Sequence, residues 1–146
     1  MRLSDISFVQ WKNDCPSGIN WKPNLIDLLR RCKEFQDLID KLPLTCSSNV
    51  EDMKKIQRHR KRLVKAKQIR NQVRTGAKGL LLIEVNKYGF CNIGFVWKGS
   101  KERAVLMNGM GHSCTCPDSD KDFSLCKHTM ALILLVNEVM DLLEKD

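Results

Sequence analysis

The stretch Cys114-Thr115-Cys116-Pro117-Asp118-Ser119-Asp120-Lys121-Asp122-Phe123-Ser124-Leu125-Cys126-Lys127-His128 decides how this chain folds. It holds three of the seven cysteines, paired as C-x-C and C-x-H across nine intervening residues. On an extended strand, residues i and i+2 point to the same side, so Cys114 and Cys116 present two sulfurs together while Thr115 faces away. Mid-helix, residues two apart lie about 200° from each other. Cys126 and His128 therefore converge only at a helix entry, with Cys126 at or just before the N-terminus and His128 in the first turn. Three thiolates and an imidazole around Zn²⁺ form a negative site that the positive end of a helix dipole stabilises. Four protein ligands leave no position for water, which describes a structural rather than a catalytic metal. Pro117 turns the chain out of the strand, and the polar run after it forms a loop that brings the second pair back. The alternative is three buried thiols and a surface histidine. His112, two residues before Cys114, is a rival ligand, a hydrogen-bonding support for one, or simply an exposed side chain.

Moving outward, residues 129–144, TMALILLVNEVMDLLE, are apolar on nearly every side at first and amphipathic later, which predicts a helix packed on a sheet. Upstream, KGLLLIEV (78–85), FCNIGFVW (90–97) and ERAVLM (102–107) are rich in strand formers. The turns NKYG (86–89) and KGSK (98–101) separate them. Asn108-Gly109 signals a tight hairpin into a fourth strand that reaches Cys114 and Cys116, with both residues central in a type I′ turn. The fold class expected is α+β: N-terminal helices, then a small antiparallel sheet and a C-terminal helix joined by the zinc site.

Further upstream lie two helices. Residues 24–42 place Leu25, Leu28, Leu29, Cys32, Phe35, Ile39 and Leu42 at helical spacing, with Pro23 suited to the first turn and Pro43 to the stop. TCSSN (45–49) reads as a connector whose Ser48 or Asn49 caps a second helix, from about Val50 to Arg74. Residues 53–78 carry eleven Lys or Arg and no acidic residue. Of 25 basic residues this leaves 14 against 17 acidic, so the formal charge of +8 resides in one segment. Like charges on neighbouring helical turns repel, and a nucleic acid is the polyanion that offsets this while releasing counterions. Candidates for phosphate contact are Arg58, Arg60, Lys61, Arg62, Lys65, Lys67, Arg70 and Arg74. A solvated face, or a nuclear-import signal at RHRKR (58–62), uses the same charges. Met53, Ile56, Leu63, Ala66 and Val73 make a modest apolar stripe interrupted by Arg60, and no motif indicates readout of base edges. The segments expected are 1–49, helical; 50–77, the basic helix; and 78–146, the zinc module.

At 146 residues the chain suits one compact domain. Its first residues do not read as a secretory signal, no apolar run approaches the roughly 20 residues a membrane helix needs, and an intracellular, nuclear setting is expected. In a reducing compartment, clustered cysteines favour metal, and Cys15, Cys32, Cys46 and Cys91 read as small buried hydrophobes. Catalytic motifs are missing: no H-E-x-x-H, no phosphate loop, no nucleophile elbow and no deaminase signature. A non-enzyme is expected.

The pattern C-x-C-x(n)-C-x-H between strands and a helix bearing C-K-H-x-x-A (126–131) resembles the SWIM-type zinc finger over about residues 78–146. In length, and in ending soon after the finger helix, the chain is similar to the small SWIM proteins of Shu-type recombination complexes. That resemblance implies zinc on Cys114, Cys116, Cys126 and His128 and a complex with RecA-like recombinase paralogues that assists homologous recombination. SWIM fingers also occur in transposase-derived regulators and in ubiquitin-ligase chains, which leaves a regulatory DNA-binding protein and a ubiquitin-ligation adaptor as alternatives.

Overall fold

A computed structural model describes residues 5–41, 50–75, 79–99, 101–109, 111–116 and 126–144. The connector at 42–49, with Pro43 and the Ser48 or Asn49 cap, and the loop at 117–125 lie outside the described residues. The elements run β1 (Val9–Asn13), α1 (Lys22–Lys41), α2 (Val50–Arg74), β2 (Gly79–Val85), β3 (Cys91–Lys98), β4 (Glu102–Asn108), β5 (Gly111–Cys114) and α3 (Lys127–Glu144). The fold is α+β.

The five strands form one sheet in sequence order. β2 to β5 pair antiparallel, as the turn signals require, whereas β1 lies parallel to β2 with Val9 opposite Leu81 and Asn13 opposite Val85. The sheet is therefore mixed, because the long connection through α1 and α2 lets the chain return in the direction it left. The β2–β3 turn is organised by Asn86, whose Oδ1 accepts from the Tyr88 and Phe90 amides, and by Gly89 at φ 86°. The β4–β5 turn departs from the sequence expectation. Asn108 stays in the ladder opposite Gly111, so the first central residue is Gly109 and the turn is displaced by one position.

Alternation along β2, β3 and β4 buries Leu81, Ile83, Val85, Cys91, Ile93, Phe95, Val105 and Met107 on one face. α3 packs on that face, with α1 and α2 against it in turn. This placement explains why Met130 to Val136 are buried without a break. Asn137 donates to the Cys32 carbonyl of α1 at 3.3 Å, and Glu138 pairs with Arg74 of α2 at 2.7 Å. At about 1.5–3 kcal/mol for each large apolar side chain removed from water, α3 is the principal source of hydrophobic stabilisation.

α2 is docked along its length. Ile56, His59, Leu63, Ala66, Ile69 and Val73 form its buried row, spaced by three or four residues. Arg60 does not interrupt it, because the row passes through His59, whose Nε2 bonds the Ile39 carbonyl near the end of α1 at 3.0 Å. Met53 is outside the row, 49% exposed. Among the described residues, no helix is long and apolar enough to cross a membrane.

Candidate metal centre and basic face

Cys114 ends β5, and Cys116 follows it one residue past Thr115. Thr115 continues the ladder: its amide donates to the Ala104 carbonyl at 3.1 Å, and its Oγ1 accepts from the Ala104 amide at 3.1 Å. Arg103 reaches the Thr115 carbonyl at 3.4 Å. Thr115 is thus held to β4, which fixes the backbone carrying the two cysteines on either side of it.

Cys126 immediately precedes α3 and acts as its N-cap. Its carbonyl accepts the first helical bond, from the Met130 amide at 3.0 Å, and its Sγ accepts from the Thr129 amide at 3.4 Å. Thr129 Oγ1 lies 3.2 Å from the same sulfur. A sulfur in the position usually filled by a Ser or Asp oxygen satisfies a helix-end donor and lies at the positive end of the dipole. His128 stands in the first turn.

The sulfurs of Cys114, Cys116 and Cys126 and a ring nitrogen of His128 all lie within 4.8 Å of one another. Around an ion with Zn–S bonds of about 2.3 Å, tetrahedral sulfurs stand about 3.8 Å apart, so small inward movements suffice. Cys116, Cys126 and His128 are buried. His128 Nδ1 is buried without a hydrogen-bond partner among the described residues, and a polar atom in that state is costly unless a cation or donor satisfies it. The donor set fits zinc. Hydrogen bonding from the Cys114 thiol, helped by His128 and Thr129 and opposed by burial, holds the Cys126 thiol down to about 3. The same bond, with burial, pushes Cys114 upward.

Residues 95–137 match the SWIM zinc finger family. The matched segment runs from Phe95 in β3 through Asn137 in α3 and takes in all four clustered residues. It is narrower than the 78–146 of the sequence resemblance. The finger and the cluster together identify the cofactor as Zn²⁺. No curated protein and no solved structure matches the chain significantly.

His112 does not join the SWIM cluster. Its ring meets Phe35 of α1 edge-on, with centroids 5.6 Å apart, and ties β5 to the helical layer. Of the scattered cysteines, Cys32 and Cys91 are buried, Cys15 is half-buried and Cys46 lies outside the described residues.

The basic candidates separate by environment. Arg58, Arg60, Lys61, Lys65 and Lys67 are exposed on α2, with Lys54 beside them, and Arg62 and Arg70 are partly buried at the margin of the docked face. Arg74 holds Glu138 across the α2–α3 contact, a structural role that nothing in the spacing of the basic residues separates from the others.

Proposed function

We propose that this SWIM-finger protein is a non-catalytic accessory of DNA recombination or repair, acting in the nucleus, that holds a RecA-like recombinase paralogue through its zinc module and touches DNA through α2. The observation that carries the DNA part is the docking of α2. Its apolar row is committed to α3, and the side turned to solvent is cationic and bears no acidic residue from 53 to 78. The closed four-ligand cluster supports a scaffold rather than a reaction centre, since no ligand position is left for a substrate. The recombinase partner rests on the likeness of motif to the Shu-type proteins.

Affinity purification of the intact protein with mass spectrometry, repeated with Cys126→Ala, tests the partner. A RecA-like ATPase subunit is expected with the native chain and is lost with the variant. Recovery of ubiquitin-ligase subunits in its place, or of no such ATPase, overturns the reading. A salt titration of DNA affinity tests the nucleic-acid contact, because phosphate contacts make log K fall linearly with log salt.

A further inference from the structure

The side chains around α2 are not distributed as a uniformly charged cylinder. At about 100° per residue, Met53, Gln57, Val64, Gln68 and Asn71 fall in one row opposite the buried row. All five are exposed, and none is charged. Lys54, Arg58, Lys61 and Lys65, spaced by four, three and four, form a cationic row about 85° to one side of it. Arg60 and Lys67 lie about 55° to the other side. Three amides with a methionine and a valine thus crown the helix, flanked by positive charge on both sides.

A helix bound to a flat array of phosphates needs its charges at the crown, where contact is closest. A helix on an anionic membrane needs large apolar residues there. Here the crown is mostly amides, with Met53 at one end and Val64 between, and the charges sit at the shoulders. This is the arrangement suited to a groove with phosphate walls and a floor of base edges. The major groove of B-form DNA is about 12 Å wide and admits a helix about 10–12 Å across. Its floor offers paired donors and acceptors that glutamine and asparagine bond bidentately, and thymine methyls that valine can touch. From Gln57 to Gln68 the helix rises about 16 Å, or about five base-pair steps of 3.4 Å. The major groove of A-form RNA is too narrow and deep to be read in this way.

We infer that α2 enters the major groove of duplex DNA, with Gln57, Val64 and Gln68 facing base edges, Lys54, Arg58, Lys61 and Lys65 facing one phosphate strand, and Arg60 and Lys67 facing the other. The inference rests on the DNA contact proposed above and specifies its geometry and its preference for DNA over RNA.

The intact zinc-loaded protein is titrated into random-sequence DNA duplex and into RNA duplex. Methyl green then serves as a major-groove competitor and netropsin as a minor-groove one. Methyl green displaces the protein and netropsin does not, and the RNA duplex binds at least about tenfold more weakly. In selections from a random pool, Gln57→Ala with Gln68→Ala reduces base preference about tenfold and leaves the salt slope unchanged. Lys54→Ala with Lys61→Ala lowers that slope by about two. All four positions are exposed, and zinc content with far-ultraviolet dichroism verifies folding of each variant. Salt-dependent DNA binding that methyl green leaves intact, or equal affinity for RNA, overturns the groove placement while the DNA contact stands. Absence of salt-dependent binding to any nucleic acid overturns both.

Discussion

Thr129 is the residue whose removal separates the helix cap from the metal. Its amide and hydroxyl both contact the Cys126 sulfur, and replacing it with Val deletes only the hydroxyl bond. Loss of such a supporting bond weakens metal affinity about 10–100-fold. Competition for zinc with a chromogenic chelator should show that shift with little change in far-ultraviolet dichroism. Cys32 illustrates the opposite case. It is fully buried and pushed up to about 12 by that burial, so the thiolate that attacks an electrophile is scarce at neutral pH. Peptide mapping after iodoacetamide treatment should find Cys32 unmodified in the native protein, Cys15 modified, and Cys32 modified once denaturant is added. The four clustered residues stood out from spacing alone, because C-x-C on a strand and C-x-H at a helix entry are local geometries. The hydrogen bonds from Thr129 are local too, and Thr at the third helical position after a cysteine was a readable signal. The ring contact of His112 was not readable, since Phe35 comes from a helix 77 positions earlier.

At the scale of the element, α2 depends on His59. Its bond to the Ile39 carbonyl satisfies an acceptor near the end of α1, where carbonyls lack helical partners. His59→Leu keeps the volume and leaves that carbonyl buried without a donor, at a cost of about 1–3 kcal/mol. Urea unfolding should show a lower midpoint with an unchanged slope. The limits of α1 and α3 followed from apolar periodicity to within two residues, because each helix buries a continuous row. The docked row of α2 was harder to see. It passes through a histidine that bonds α1 and through Ile69, and the charges between obscured its period. β1 escaped notice for a related reason: VQWKN is short, half polar and pairs with residues 72 positions away. The one-residue slip of the β4–β5 turn has a pairing cause, as Asn108 opposes both Asn92 and Gly111 and is retained by the ladder on both sides.

For the whole molecule, α3 joins the metal site to every other layer. Leu135 is fully buried there, and Leu135→Ala should destabilise the protein by about 2–5 kcal/mol in chemical denaturation, as expected where surrounding helices prevent the cavity from collapsing. Zinc removal is expected to act more locally at first. With the chelated protein, hydrogen exchange should quicken at residues 111–114 and 127–130, where strand and helix entry lose their common ion, before it does in β2 and β3. The central place of α3 also bears on synthesis. A ribosome adds about 5–20 residues per second, and α3 is the last described element to be made. Until it emerges, the sheet, α1 and α2 meet at only a few places, such as Cys32 against Met107 and Phe35 against His112, and lack the helix that covers most of their apolar faces. Cys126 just precedes that helix and His128 lies in its first turn, so zinc can fix this turn against β5 while the rest of α3 is still being added.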